Sequence, residues 1–249
     1  MNLHRYDIGV PLAGLREDAR RAADGWDWSR GAFGHALSLP ARGDLHPSGR
    51  YRYHNHPCTG LLDRLPHLRG VFDGLECEKV SFRLLRREPS SAYAWHTDQW
   101  KGRGVVRFQI PIVSDADVFL VTTDYDHQRQ VRGVGPVLTP ETFDAFAAAN
   151  AGHFERHSLE PGLLHYFDTT HVHTLVNPGP GERITLSFDL VANDWLRERF
   201  PPIVGELGGH AGGPESPGRL TQAGAWAAAQ FHPLRSWARR RRQTHAARS

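Results

Sequence analysis

A histidine and an aspartate stand two residues apart in the segment AYAWHTDQW, residues 92–100. In an extended chain, side chains two residues apart project from the same face. His96 and Asp98 can therefore occupy neighbouring positions on one metal ion. The pair is a weak signal by itself, because a His-x-Asp pattern often arises by chance.

The segment FDTTHVHTLVN, residues 167–177, supplies a second donor element about 75 residues further along, in a different predicted strand. It contains His171 and His173, which face the same way in an extended chain, so strand geometry does not choose between them. Two histidines and one carboxylate leave open positions on a non-haem iron. A catalytic zinc also takes three protein ligands, so the ligand types alone leave both metals open.

The segment GERITLSFDL, residues 181–190, alternates between two faces. One face is apolar, and the other carries Arg183, Thr185 and Ser187. An arginine buried beside hydroxyl groups is unfavourable unless an anion pairs with it, and its planar fork matches a carboxylate. These residues favour 2-oxoglutarate, chelating the metal at one end and bound by Arg183 at the other. The alternative is an arginine at the exposed start of a strand.

The elements that must position these side chains are short strands. From Cys77 onward, apolar-alternating runs are separated by turn residues, a pattern typical of an antiparallel sandwich or barrel. The segment TPETFDAFAAAN, residues 139–150, has a Thr cap, an early Pro and an Ala-rich body. It predicts a helix between two strands, and we expect this helix to form a lid over the barrel mouth.

The chain divides into three predicted regions. Residues 1–75 are a mixed helical and irregular segment packing on the barrel, with helices expected near 15–23 and 60–68. Residues 76–200 form a jelly-roll core with the helical insertion at 139–151. Residues 201–249 are a Gly/Pro linker and a basic C-terminal helix that contains four consecutive arginines.

The composition excludes several classes of protein. The 249 residues suffice for one sizeable core, and 39% apolar and 23% charged residues are ordinary for a globular protein. No membrane-length apolar stretch, secretory signal or CxxC pair is present, so we expect a cytoplasmic protein without a membrane partner. The net charge of +3 is carried mostly by dispersed arginines, without a nucleic-acid-binding module, so no nucleic-acid partner is predicted.

Four segments together resemble one enzyme family over roughly residues 78–195. These segments are HTD, VVRFQIPI, GLLHYFDTTHVHTLVN and RITLSFDL. They resemble the aspartyl/asparaginyl β-hydroxylase family of iron(II)- and 2-oxoglutarate-dependent oxygenases, nearest to the bacterial hydroxylases of proline and other free amino acids. The resemblance implies a mainly β double-stranded β-helix, a cupin-like jelly-roll barrel with flanking helices.

The resemblance also implies roles for individual residues. It places three side chains on the iron: His96, Asp98 and His173. It places Arg183, with Thr185, on the distal carboxylate of 2-oxoglutarate. The ten-residue spacing to Arg183 and the following Asn177 favour His173 over His171 as the ligand. The presence of Asp98 predicts hydroxylation over halogenation, because halogenating relatives need that metal position free.

Other residues are weaker candidates. The family pattern turns Arg107 and Gln109 inward, as candidates for binding the substrate. Arg107 could hold a substrate carboxylate or help to bind 2-oxoglutarate; the alternative is a solvated arginine at a sheet edge. His165 lies near the co-substrate or in the core. Trp95 and Trp100 could line the substrate pocket, although aromatic residues are more often core.

The predicted activity is hydroxylation of an amino acid, or of a carrier-linked or peptidyl residue. The reaction consumes O2 and 2-oxoglutarate and releases succinate and CO2, with ascorbate as a supporting reductant. Two alternatives stay open: a cupin-type metal enzyme without 2-oxoglutarate chemistry, and a non-catalytic binding module. The residues do not indicate the substrate, the hydroxylated carbon or the oligomeric state.

Overall fold

The computed structural model describes residues 3–31, 34–45, 58–93, 95–98, 104–123, 140–169, 171–201 and 203. These residues form eleven strands: β1 (His4–Tyr6), β2 (Ser29–Gly31), β3 (Gly34–Ser38), β4 (Lys79–Arg87), β5 (Ser91–Ala92), β6 (Val105–Val113), β7 (Phe119–Thr123), β8 (Phe154–Ser158), β9 (Leu164–Tyr166), β10 (His173–Asn177) and β11 (Arg183–Val191). They also form four α-helices: α1 (Leu12–Gly25), α2 (Pro66–Gly74), α3 (Pro140–Ala149) and α4 (Asp194–Arg199).

The strands make two antiparallel sheets. The larger has the order β1-β9-β6-β11-β4-β3-β2, and the smaller has the order β5-β10-β7-β8. The chain crosses repeatedly between the two sheets, which is the arrangement of a double-stranded β-helix. The mainly β jelly-roll fold predicted from the alternating apolar runs is therefore confirmed.

The larger sheet has an apolar outer face. Strands β4, β6 and β11 lie side by side in its centre, and their outward side chains form the main core. In β11 this face carries Ile184, Leu186, Phe188 and Leu190, each at most 1% exposed. Helices α1 and α2 add Leu15, Leu68 and Phe72 to the same core. The inward side chains of the three strands point to the smaller sheet and carry the polar groups described below.

The N-terminal region contains more sheet than the sequence predicts. The helices expected near 15–23 and 60–68 correspond to α1 and to a 3-10 helix (Leu61–Arg64) followed by α2. Strands β1, β2 and β3, which the sequence analysis did not predict, extend the larger sheet at both edges. They are only three to five residues long, so they carry too little periodicity to be recognised.

Helix α3 occupies a different place from the one expected. Its Phe143 is fully buried against Val121 and Val176, on the outer face of the smaller sheet. The inward face of that sheet carries Leu120 and Leu175 instead. The expectation of a lid over the barrel mouth was wrong, because the apolar side of α3 is used to cover the back of this sheet.

The predicted C-terminal linker and basic helix lie outside the described residues, apart from positions 201 and 203. None of the helices in the described ranges has the length and apolar composition of a membrane-spanning segment.

Candidate metal centre

Two neighbouring segments bring three metal-donor side chains together. His96 pairs with His173, the first residue of β10, through two backbone hydrogen bonds of 3.0 and 2.9 Å. Residues directly opposite in an antiparallel pair project to the same face, and the two imidazole centroids lie 4.2 Å apart. The Asp98 backbone N–H donates to the Thr169 carbonyl at 2.8 Å. The donor atoms of His96, Asp98 and His173 all lie within 4.8 Å of one another.

The protonation states suit a metal ion. Burial, reinforced by the nearby His96, lowers the pKa of His173 to about 3, so this ring is neutral. Its Nδ1 lies 2.8 Å from the His171 carbonyl, which as acceptor leaves Nε2 as the free donor atom. Burial acts to raise the pKa of Asp98, but Arg107, His173 and His96 together outweigh it and hold the pKa below its ordinary value. Metal binding needs this deprotonated set.

His171 lies outside this cluster. Its Nδ1 is 3.2 Å from the Asp168 carboxylate, and its backbone carbonyl is the acceptor for His173. Of the two histidines that strand parity could not separate, the structure places His173 beside His96 and Asp98.

Arg107 is held by two aspartates. Its Nη1 lies 2.6 Å from Asp98 Oδ2, and its Nε and Nη2 donate to the two carboxylate oxygens of Asp189 at 2.6 and 3.0 Å. Asp189 also accepts from the Ser81 hydroxyl at 2.6 Å. The expectation that Arg107 binds a substrate carboxylate or 2-oxoglutarate needs correction, because its fork is occupied by protein carboxylates. Arg107 instead fixes the orientation of Asp98.

Arg183 contrasts with Arg107 because two of its three guanidinium nitrogens are buried without partners in the described part of the chain. It is 3% exposed, and its Nε and Nη2 make no hydrogen bond within the described part of the chain. The hydroxyl groups of Thr185 and Ser187, on the same inward face, are fully buried and equally unpartnered. Burial lowers the pKa of Arg183 to about 10, so the group stays charged at neutral pH.

Two inward arginines of β4 were missed by the sequence analysis. Arg87 is the direct neighbour of Arg183 across the sheet, and Arg83 is the neighbour of Ser187. Arg83 is 6% and Arg87 8% exposed. The Arg87 guanidinium lies 3.2 Å from the centroid of the Tyr93 ring, and its Nε and Nη2 have no partner in the described region. The alternation in KVSFRLLRR, with Phe82 and Leu84 on the core face, could have indicated both.

The remaining candidates occupy different places. Gln109 is half-buried on the inward face, beside Ser187 in β11 and His165 in β9. His165 is 1% exposed, with Nε2 3.0 Å from the Glu160 carbonyl and Nδ1 unpartnered. Trp95 packs against three rings near α3, those of Phe143, Phe146 and Phe154. It thus faces away from the metal donors, contrary to the expected pocket role, and Trp100 lies outside the described residues.

No protein-family profile and no curated protein matches this sequence. Among solved structures, it is similar to AviO1 from Streptomyces viridochromogenes, with 17% identity, a TM-score of 0.42, and coverage of 77% of this chain and 90% of that chain. It is similar to HygX from Streptomyces hygroscopicus, solved with nickel and 2-oxoglutarate, with 12% identity, a TM-score of 0.48, and coverage of 77% and 83%. It is also similar to a Pseudomonas putida prolyl-4-hydroxylase, with 18% identity, a TM-score of 0.40, and coverage of 77% and 92%.

Proposed function

We propose that this chain is an iron(II)- and 2-oxoglutarate-dependent dioxygenase that hydroxylates an amino acid or aminoacyl group and releases succinate and CO2. The observation that carries the proposal is the combination of two features on the inward surfaces of one barrel. One is a His-Asp-His donor set. The other is a fully buried arginine, Arg183, whose unpartnered nitrogens are suited to bind a carboxylate.

The donor chemistry fits iron(II). Two imidazoles and one carboxylate on one side leave coordination positions open, as non-haem iron oxygenases require. When bound, the iron and 2-oxoglutarate supply the activation of O2, with 2-oxoglutarate oxidised to succinate and CO2. His96, Asp98 and His173 hold the metal, and Arg107 keeps Asp98 in one orientation through the ion pair with its Oδ2.

The co-substrate is held by residues at the start of β11. Arg183 offers Nε and Nη2 to the distal carboxylate, and Arg87 lies beside it across the sheet. The Thr185 hydroxyl, two residues further along the same face, adds a neutral donor. Because all three side chains are buried, their interaction with an anion is screened little by solvent.

Hydroxylation of an amino-acid-type substrate follows from the resemblance of the four sequence segments and from the presence of Asp98. The carboxylate occupies the metal position that a halide needs. The same resemblance favours free amino acids over peptidyl residues, with the reaction requiring O2 and supported by ascorbate as a reductant.

The test separates co-substrate binding from turnover. We expect the iron-loaded protein to bind 2-oxoglutarate under nitrogen, measured by calorimetry, and to form succinate with a member of an amino-acid panel under O2. His96→Ala should abolish both metal binding and succinate formation. His153→Ala, at an exposed histidine outside the donor set, should leave both intact. Metal-loaded protein that binds no 2-oxoglutarate would contradict the proposal and favour a cupin-type metal enzyme.

A further inference from the structure

One buried arginine of strand β4 belongs neither to the metal donors nor to the proposed 2-oxoglutarate site. Arg83 on β4 is 6% exposed, and its Nε has no hydrogen-bond partner in the described region. The carboxylate that acts most strongly on Arg83 already has partners, because Asp189 accepts from Arg107 through both oxygens and from Ser81. A buried arginine without a full set of acceptors is costly unless a ligand supplies them.

Arg83 lies towards the metal donors and away from Arg183. It is opposite Ser187, whereas Arg87, four residues along the same strand, is opposite Arg183. Four residues of extended chain span about 13 Å. Asp98, Asp189 and Arg107 are among the charged groups that act on Arg83, in addition to burial, which lowers its pKa to about 10. One carboxylate therefore cannot serve both ends of this row of arginines.

The charge of the inward surface indicates a second anion. The inward faces of β4, β6 and β11 carry four arginines: Arg83, Arg87, Arg107 and Arg183. The carboxylates beside them are Asp189 and the metal donor Asp98, and both are paired with Arg107. A divalent metal adds positive charge, and the dianion 2-oxoglutarate offsets only that addition. Among the described residues of these three strands, positive charge thus remains after the metal and co-substrate are bound.

We propose that Arg83 binds a carboxylate of the substrate, so that the substrate enters the barrel as an anion. This inference rests on the proposed function and deepens it by naming a chemical requirement of the substrate. The carboxylate is either the α-carboxylate of a free amino acid or the side-chain carboxylate of an acidic residue. A neutral aminoacyl thioester on a carrier has neither, so it is excluded as a substrate.

The first experiment varies the substrate. Wild-type protein with iron, 2-oxoglutarate and ascorbate is assayed for succinate with three probe sets. The sets are free neutral amino acids, their carboxamides, and the N-acetyl carboxamides of aspartate and glutamate. We expect turnover in the first or the third set, which identifies the source of the carboxylate. We expect kcat/KM at least about 10-fold lower for each carboxamide of an active amino acid.

The second experiment varies the residue. Arg83→Met keeps the length of the side chain and removes its charge, and we expect KM for the best substrate to rise about 10- to 100-fold. The preference of acid over carboxamide should fall towards one. The matched control is Arg86→Met on the opposite face of β4, where the guanidinium lies 5.0 Å from the Trp28 ring centroid. This control should leave both quantities unchanged.

Two further readouts separate substrate binding from folding and co-substrate binding. Arg83→Met should melt no lower than wild type, because replacing a buried arginine that has no protein hydrogen bond at Nε by an apolar side chain of similar length removes a desolvation cost. Its anaerobic affinity for 2-oxoglutarate, measured by calorimetry on nickel-loaded protein, should stay within about 2-fold of wild type. Loss of that affinity would overturn the inference and assign Arg83 to the co-substrate.

Failure of the inference differs from failure of the proposed function. Wild-type protein that binds no 2-oxoglutarate contradicts the proposed function itself. If 2-oxoglutarate binds to the wild type and to Arg83→Met, the inference is overturned by any of three further results. These are carboxamides turned over as well as acids, no probe with a carboxylate that stimulates succinate formation, or an Arg83→Met variant that keeps its preference for acids.

Discussion

The two faces of strand β11 are equally buried and chemically opposite. Its outward side chains are apolar and belong to the main core, where the Phe188 ring stacks at 5.6 Å on Phe82 and 5.7 Å on Phe108. Its inward side chains, Arg183, Thr185, Ser187 and Asp189, are at most 3% exposed. Burial alone therefore does not mark a core. Buried polar atoms without partners, as on the inward face, mark a place where a ligand completes the packing.

The inward face itself contains two kinds of charged group. Asp189 and Arg107 satisfy each other and fix a metal donor. Arg183, through Nε and Nη2, and Arg83, through Nε, have buried nitrogens without a partner within the described residues. The first kind organises the site before any ligand arrives, whereas the second kind becomes satisfied only when a ligand binds. Replacing a residue of the first kind should therefore lower stability, whereas replacing a residue of the second kind should weaken ligand binding.

The prediction with the largest expected effect compares adjacent residues on the opposite faces of β11. Phe188→Ala should lower the free energy of unfolding by about 4 kcal/mol, because it removes a buried ring and leaves a cavity. Ser187→Ala should change it by less than about 1 kcal/mol, since the hydroxyl has no protein partner to lose. Urea unfolding of both variants provides the measurement. A Ser187→Ala loss as large as that of Phe188→Ala would show that the inward face is ordinary core.

Much of this contrast could be predicted from the sequence. The alternation in RITLSFDL separates the two faces, and the spacing of His96, Asp98 and His173 brings donors to one surface. The role of Arg107 could not be predicted, because its partner Asp189 lies 82 residues away and only the strand register joins them. The short strands β2 and β3 and the position of α3 also depend on tertiary packing, which local periodicity does not encode.

The second prediction compares the two kinds of arginine. Arg107→Met should destabilise the metal-free protein by about 3 kcal/mol, because it removes the arginine that forms an ion pair with the fully buried Asp189. Arg183→Met should leave stability unchanged or raise it by about 1–2 kcal/mol. The same variant should weaken 2-oxoglutarate binding at least about 10-fold.

Urea unfolding and anaerobic calorimetry on the same preparations check this pair. The Arg86→Met variant, on the core face of β4, provides the reference for replacing an arginine that is not buried in the barrel. Equal destabilisation by Arg107→Met and Arg183→Met would remove the distinction between paired and unpaired groups on the inward face.

The smallest expected effect concerns pH and the metal-free donor set. The pKa of His173 is lowered to about 3 in the folded protein by burial and by His96, while the unfolded chain takes up a proton near the ordinary value of about 6.5. Between these values the unfolded state binds more protons, so the free energy of unfolding falls as pH decreases. Linkage gives a slope of about 1 kcal/mol per pH unit from this group.

The slope is measured by urea unfolding of metal-free protein between about pH 6.5 and about pH 4. The depressed pKa of Asp98 acts in the same direction and only at lower pH, since a paired carboxylate loses its stabilisation when it is protonated. The comparison with His173→Gln therefore isolates the contribution of the histidine, and we expect a shallower slope in that variant.

Saturating nickel should steepen the pH dependence of the free energy of unfolding in the wild type, because the metal competes with the proton for the same nitrogen. A slope that is identical in the wild type and His173→Gln, with or without nickel, would mean that this imidazole is not the buried neutral donor of the site.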